Sequence, residues 1–391
     1  MDALVDGSAQ FELNDDQRAI REMAESFAAE RVAPNALDWD REKHFPADVI
    51  RETGPLGFGG IYVKDDVGGS SLGRLDAVLI FEALSRACPA FSSFISIHNM
   101  AAWMIDSFGN EEQRQRFLPK LTSMELLASY ALTEPGSGSD AAALKTRAVR
   151  SGGNGSDYVL NGAKQFISGA GDNDLYVTMV RTGEDGPKGI STLVIPKDAP
   201  GLSFGKVEHK MGWHMQSTRQ VIFEDCKVPA ENLLSGEGAG FKIAMAGLDG
   251  GRLNIAACSL GGAQSALEKA LAYAGERSAF GQKINQFQAL QFKLADMETE
   301  LQAARIMLYA AAARLDRKAH DASKWSAMAK RFVTDTGFQV ANDALQVFGG
   351  YGYLHDYGVE KLVRDLRVHQ ILEGTNEIMR VIIARQLIGR Q

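Results

Sequence analysis

LQFKLADMETELQAARIML, residues 290–308, sets Leu290, Leu294, Met297, Leu301, Ala304 and Leu308 at steps of four, three, four, three and four. That spacing is a heptad seam along one long helix, suited to a helix bundle or a contact between subunits. A second helix is predicted from about Ser323 through Trp325, Met328 and Phe332 to Val347. The loop Phe348-Gly349-Gly350-Tyr351-Gly352-Tyr353 stops it, and a last helix covers residues 377–387. The middle of the chain has a different texture. Tyr158-Val159-Leu160, Leu175-Tyr176-Val177-Thr178-Met179-Val180, Ser191-Thr192-Leu193-Val194-Ile195-Pro196 and Arg219-Gln220-Val221-Ile222-Phe223 read as strands, with Gly and Pro at short intervals between them. Asn161-Gly162 reads as a hairpin turn. An antiparallel sheet or small barrel follows.

The first third is helical again. Asn14 can cap a helix opening on Asp15-Asp16-Gln17, whose acids favour a helix N-terminus. Ile20, Met23, Phe27 and Val32 mark its apolar side, and further helices are expected at 75–87, at 101–108 and from about Asn110 through Phe117 and Leu118. Residues 54–73, rich in glycine, should be loop. The order gives an α+β multidomain chain: an N-terminal α-helical domain at 1–127, a middle antiparallel β domain at 128–237 and a C-terminal helical bundle at 238–391.

Bulk properties narrow the function. The 391 residues are too many for one ordinary core, and the 45% apolar fraction is that of a globular protein. A net charge of −7, with both signs well mixed, argues against a nucleic-acid surface. Cys88, Cys226 and Cys258 form no CxxC pair, which fits a reducing compartment and three small buried apolar residues. The N-terminal Met1-Asp2-Ala3-Leu4-Val5-Asp6 carries acids where a targeting peptide carries basic residues, and no apolar run is long enough to span a bilayer. A cytoplasmic protein is expected, or a mitochondrial-matrix one in processed form.

Metal and hydrolase chemistry find no support. The seven histidines form no Glu-x-x-His pair and no GxxxxGK loop occurs. Of the two GxSxG spacings, Gly69-Ser70-Ser71-Leu72-Gly73 falls in a glycine-rich loop and Gly201-Leu202-Ser203-Phe204-Gly205 between predicted strands, so neither is a strand-to-helix elbow. Four other segments carry chemistry. Tyr130-Ala131-Leu132-Thr133-Glu134-Pro135-Gly136-Ser137-Gly138-Ser139-Asp140 offers hydroxyls beside two glycines that let a ligand approach the backbone; it reads equally as a plain surface turn. Its Gly136-x-Gly138-x-x-Ala141 run mimics a dinucleotide fingerprint, but Pro135 breaks the required geometry. In Gln165-Phe166-Ile167-Ser168-Gly169, the aromatic and the hydroxyl two residues on point to one face of a strand, either against a flat ring or into the core. Arg252, in Leu248-Asp249-Gly250-Gly251-Arg252 at the opening of a helix, and Arg277, at a helix end, read as anion contacts or as structural cations. Glu373, in Ile371-Leu372-Glu373-Gly374-Thr375-Asn376-Glu377-Ile378, falls in an apolar loop before a helix capped by Thr375 or Asn376. It is either an ordinary solvated side chain or a buried base of raised pKa.

Taken in order, Leu132-Thr133-Glu134-Pro135-Gly136-Ser137-Gly138-Ser139-Asp140, Arg277-x-x-Phe280-Gly281, Phe348-Gly349-Gly350-Tyr351-Gly352 and Leu372-Glu373-Gly374-Thr375-Asn376-Glu377 resemble the acyl-CoA dehydrogenase family, from about Phe11 to Leu387. The resemblance implies helical, β and four-helix-bundle domains in a homotetramer, a dimer of dimers, that binds FAD. It implies that Tyr130, Leu132, Thr133, Gly138, Ser139 and Ile167 line the flavin, with Phe166 on its face and Ser168 at its reactive edge. Arg277, Phe287, Gln288, Gln346, Val347, Phe348, Gly349 and Gly350 resemble residues holding the FAD of a neighbouring subunit. Thr375, Asn376 and Glu377 would face the nucleotide through a helix N-terminus. Ser139, Asp249, Gly250, Gly251, Arg252, Gly374 and Arg385 match positions for the acyl-CoA substrate.

The implied reaction is α,β-desaturation, with Glu373 taking the α-proton, the flavin taking the β-hydride and an electron-transferring flavoprotein accepting the electrons. Some members place the base near Asp249, but Gly250-Gly251-Arg252 has no carboxylate there, which leaves Glu373. The Gly250-Gly251-Arg252-Leu253-Asn254 run and residues 365–373 most resemble the isobutyryl-CoA branch, with valine breakdown as context. Short-chain or 2-methylbutyryl-CoA specificity and an oxygen-using oxidase of the same fold are the nearest alternatives. A nicotinamide enzyme and a non-catalytic scaffold built on the 290–308 seam are more distant ones.

Overall fold

The structure is a computed structural model and describes residues 13–151 and 156–389. The acidic N-terminal run at 1–6 and Phe11, where the family resemblance begins, lie outside these residues. The helices are α1 (Asp15–Phe27), α2 (Ala36–Glu42), α3 (Ala47–Arg51), α4 (Arg74–Ala87), α5 (Pro89–Phe108), α6 (Glu111–Thr122), α7 (Gly240–Glu276), α8 (Gln288–Asp316), α9 (Ala322–Phe348), α10 (Val359–Arg367) and α11 (Asn376–Ile388). The strands are β1 (Ala128–Ala131), β2 (Arg147–Arg150), β3 (Asp157–Ser168), β4 (Leu175–Arg181), β5 (Ile190–Pro196), β6 (Leu202–Phe204), β7 (Thr218–Pro229) and the two-residue pair β8 (Ser278–Ala279) and β9 (Gln282–Lys283). The described residues group into two compact units, one of 13–38, Gly73–Ser92 and 252–389, the other of Trp39–Leu72 and Ser93–Gly251. The boundaries expected near 127 and 237 both fall inside the second unit.

In the second unit the sheet runs β1-β4-β2-β3-β7-β6, with β5 also paired to β4. Pairing is antiparallel except where β1 and the start of β2 meet β4. Every residue of β4 is buried, because its two faces serve two cores. Leu175, Val177 and Met179 pack with Met104, Ile105, Leu118 and Leu121 of α5 and α6 and with Ile243 of α7. Tyr176 and Val180 point the other way, onto Leu160 and Tyr158 of β3 and Val221, Phe223 and Val228 of β7. Sheet residues on one face and helix residues on the other are thus the whole reason for the β4 apolar run.

Two sequence expectations in this unit are corrected. Asn161-Gly162 is not a hairpin turn; β3 runs through it, and the pairing with β7 slips there by a bulge. Gly162 has φ 142°, and a Cβ on it would stand 2.7 Å from the Thr146 Cα, so the glycine serves a close strand approach. Asn161 exchanges hydrogen bonds with Asp225 on β7 instead of closing a turn (3.0 and 2.9 Å). The second correction concerns Phe166 and Ser168. A further register shift between Lys164 and Ile167 puts Phe166 at φ 59°, so the simple two-residue alternation of faces does not hold across it.

In the first unit, Asn14 caps α1 in a reciprocal capping box with Gln17, as its sequence predicts. The seam residues Leu294, Met297, Leu301, Ala304 and Leu308 are buried along α8. Arg305 and Tyr309, on the same helix, reach the buried Glu82 of α4 at 2.9 and 2.8 Å. The last residue of α8, Asp316, accepts from the first N–H groups of α4 at Arg74 (2.6 Å) and Leu75 (3.2 Å), which satisfies donors that a helix start leaves open.

The expectation that residues 248–252 open a helix is also corrected: they lie inside α7, which runs unbroken for 37 residues. Gly261, farther along, shows what a helical glycine does here. A Cβ at Gly261 would meet the Glu82 carbonyl oxygen at 2.1 Å, so α4 and α7 touch backbone to backbone. Cys88, Cys226 and Cys258 are buried and form no disulfide. Among the described residues no helix is long and apolar enough to cross a membrane, and no three His, Cys, Asp or Glu side chains are grouped to hold a metal.

Candidate active site

Glu373 lies between the short turn at Val368–Gln370 and the start of α11. Its φ is 57° and that of Gly374 is 86°, two left-handed residues in succession. For a glutamate this conformation costs on the order of 1 kcal/mol and persists only where the surroundings impose it. Thr375 imposes the downstream end, capping α11 by accepting from the Ile378 N–H at 3.3 Å. The residue as a whole is half-buried, but its Oε2 is closed off from solvent and accepts no hydrogen bond. Burial raises the carboxyl from 4.5 to about 7, against the opposing pull of the Arg252 and Lys330 cations. Of the two sequence readings, this geometry excludes the ordinary solvated side chain and shows a buried carboxyl of raised pKa.

Lys330, which the sequence did not single out, lies beneath this loop. Its side chain comes from the middle of α9, is fully buried, and donates to the Gly374 carbonyl (2.7 Å) and to Asn376 Oδ1 (2.8 Å). Asn376 is itself buried, and its Nδ2 donates to Asp335 Oδ1 at 2.7 Å and Thr334 Oγ1 at 3.0 Å. Only its main chain is left to face a ligand. His369, also buried, pairs through Nδ1 with Ser259 Oγ at 2.6 Å and is driven to about 3 by burial, so it is neutral. Arg252 is 4% exposed on α7, and Glu377 is exposed in the first turn of α11. Arg385 is exposed in that helix's last turn.

A second group in the same unit gathers at the ends of α7 and α9. Arg277, Gln346, Val347, Phe348, Gly349 and Gly350 line one cavity of about 390 Å³ with Tyr273, Ile284, Tyr351 and Leu354. Tyr273 stacks on Phe348 with ring centres 4.2 Å apart, and the Arg277 guanidinium lies 5.5 Å from the Tyr351 ring centre. Phe287, at the start of α8, meets Phe280 edge to face, and Gln288 is exposed beside it. The sequence motifs around Arg277 and 346–350, seventy residues apart, thus become two walls of one polar-rimmed hollow.

The hydroxyl-rich segment at 130–140 belongs to the second unit, and so does Phe166. They are neighbours there: the Gln165 N–H donates to the Thr133 carbonyl at 2.8 Å. Phe166 is 65% exposed, which rules out the core-packing reading, while Ile167 beside it is buried. Ser129 Oγ donates to the Ser168 carbonyl at 2.5 Å. Gly138 and Ser139 are exposed, and a Cβ on Gly136 or Gly138 would meet nothing within 4 Å. Tyr130 is half-buried on β1 and Leu132 buried just past it.

The loop is held from below by an ion pair that composition could not reveal. The buried Lys164 Nζ lies 2.7 Å from Glu134 Oε1 and donates to the Leu132 carbonyl at 3.0 Å. Glu134 also accepts from the Lys145 and Thr146 N–H groups at 2.6 and 2.9 Å. Burial pulls Lys164 down to about 8, and Glu134 holds it from falling further. An exposed aromatic face, open glycines and hydroxyls on a fixed loop could hold a flat polar ring system. The hollow at Arg277 suits an anionic group.

Residues 14–125, 129–226 and 238–388 match the family models for the acyl-CoA dehydrogenase N-terminal, middle and C-terminal domains. The chain is 58% identical over 376 residues to the mitochondrial isobutyryl-CoA dehydrogenase of Dictyostelium discoideum, covering 96% of this chain and 90% of that relative. The butyryl-CoA dehydrogenase of Megasphaera elsdenii superposes with a TM-score of 0.93 at 37% identity, covering 97% of this chain and 99% of that one. The FAD complex of PigA superposes with a TM-score of 0.92 at 31% identity, covering 96% and 98%.

Proposed function

The chain belongs to the acyl-CoA dehydrogenase family, and on that premise we propose that it uses FAD to desaturate a short branched acyl-CoA of the isobutyryl type, with Glu373 as the base. The observation that carries this reading is the Glu373 carboxyl, whose Oε2 is shielded from water and free of any hydrogen-bond partner. A thioester α-proton is weakly acidic, so its base must be dry and of raised pKa, and a value of about 7 matches a base working near neutrality. The left-handed turn at Glu373–Gly374 and the Thr375 cap hold that oxygen in place before substrate arrives.

For FAD, the exposed Phe166, the Thr133 loop and Ser168 fit a ring system, and Arg277 with residues 346–350 fits an anionic portion. When bound, FAD supplies the two-electron acceptor for the β-hydride, with an electron-transferring flavoprotein proposed as the next carrier. The three matched segments support a division of the chain at about 127 and 237, and a homotetramer would bring a neighbour's Arg277 hollow to each FAD. The likeness to the Dictyostelium enzyme supports the isobutyryl assignment, and valine breakdown is the context proposed for it.

The test is the visible spectrum of the purified protein. Flavin bands bleached by isobutyryl-CoA faster than by butyryl- or 2-methylbutyryl-CoA are expected. A colourless protein, or brisk bleaching by the other two with poor bleaching by isobutyryl-CoA, would overturn the cofactor or the specificity respectively. Rapid reoxidation in air would move the protein to the oxidases.

A further inference from the structure

The loop that carries Glu373 needs something to hold it, because two successive left-handed residues are not a conformation that a glutamate adopts unaided. Beside the Thr375 cap, the hydrogen bonds offer Lys330 as the support. Lys330 Nζ spans the turn from beneath, bonded to the carbonyl of the residue after Glu373 and to the side chain of Asn376, the first residue of α11. Its own root is rigid, since α9 is buried at Ala327, Ala329, Val333 and Thr334 around it. A fully buried ammonium is costly unless an anion and acceptors offset it. The two bonded oxygens are neutral, and Glu373 is the first among the anions that favour its charge.

We propose that Lys330 is a positioning residue for the base: its buried ammonium clamps the Gly374 carbonyl and Asn376 so that the left-handed turn aims Glu373, and its positive charge favours the ionised form of this carboxyl. The inference rests on Glu373 being the base, but its first half, the clamp, does not depend on the reaction. The charged groups around the pair are few. Arg252 on α7 favours the Glu373 carboxylate and opposes the Lys330 ammonium. Asp335 and Glu377 favour the ammonium. Asp335 is shared with Arg331 and Arg380, each 3.8 Å away, and Arg380 also stands 3.7 Å from Glu377. His369 is neutral and contributes no charge. Because the Arg252 guanidinium also favours the Glu373 carboxylate, removing the Lys330 charge should raise the Glu373 titration without abolishing it. Burial brings Lys330 down to about 7, into the same range as Glu373, so the two titrate as a coupled pair.

Lys330→Gln keeps a donor for the Gly374 carbonyl and removes the charge; Lys330→Met removes both. The readout is the Glu373 carboxyl itself, followed by infrared difference spectroscopy against Glu373→Gln over pH 5–9, beside the pH profile of kcat/KM. In Lys330→Gln the carboxyl titration and the acid limb should both move up by about 1 pH unit. The same variant should lower kcat at neutral pH about tenfold, with KM little changed. In Lys330→Met the kcat loss should be larger, because the clamp is also gone. An unmoved carboxyl titration in a folded Lys330→Gln enzyme overturns the proposal, even if activity falls, since that is what a merely structural lysine would give. A carboxyl that moves while Glu373→Gln keeps full activity leaves the charge coupling of Lys330 to Glu373 standing and refutes the base assignment instead. If Lys330→Met fails to fold, Lys330→Gln alone decides.

Discussion

Replacing Glu373 by glutamine should make the protein more resistant to unfolding, and increasingly so as pH rises. In the folded chain the Glu373 carboxyl titrates at about 7, against 4.5 for an ordinary glutamate. A raised carboxyl pKa means that the folded state holds the proton more tightly than the unfolded one. The stability tied to that proton is complete below about pH 4.5, is lost as pH rises towards 7, and stays lost above it. The difference between 4.5 and about 7 corresponds to about 3 kcal/mol at full development. Glutamine has the same shape and does not ionise. Its buried amide carries its own cost, but that cost is the same at every pH, so the slope is the quantity to read. Calorimetric unfolding of both proteins at matched pH between about 4 and 8 should show the variant gaining up to about 3 kcal/mol on the parent across the range. A difference that stays flat would refute the claim that this carboxyl is buried and poorly compensated.

Further outcomes follow from Phe166, Arg277 and Lys164. Phe166→Ala should fold normally, because the side chain is 65% exposed, yet lose flavin on gel filtration, measured as the ratio of flavin to protein absorbance. Arg277→Ala should weaken FAD binding about tenfold to a hundredfold in a titration of the apoprotein, as expected for one charge-assisted contact to an anion. Lys164→Met should destabilise the protein by about 3–5 kcal/mol, since it leaves Glu134 buried without its cation, and double replacement with Glu134→Leu should recover much of the loss.

What the sequence could and could not disclose divides along physical lines. Local rules carried the helix ends: Asn14 caps α1 as read and a helix starts at Asn110 as read, and the structure adds that each asparagine forms a reciprocal box with the glutamine three residues on. Periodicity carried the α8 seam, because 3.5-residue spacing has one interpretation on a long helix. Asn161-Gly162 misled because the glycine is there for the close approach of Thr146 on a neighbouring segment, not for a turn. Gly250-Gly251 misled in the same way, as α7 absorbs both without a break.

The supports of the site were out of reach for another reason. Lys330 lies forty-four positions before the Gly374 carbonyl it holds, and Lys164 thirty positions after the Glu134 it pairs with. Nothing in a linear pattern marks a lysine as buried; only the fold that brings its partner does. The strands β1, β2 and β6, three or four residues each, were too short to leave a period.

The proton is the centre of the account, and stopped-flow bleaching of the flavin in Glu373→Gln measures its removal most directly. With isobutyryl-CoA the variant should still bind its ligand, seen as a shift of the visible bands, while the bleaching rate falls by at least about a hundredfold. Bleaching at the parent's rate, in a variant that holds a full complement of FAD, would mean that another group takes the α-proton.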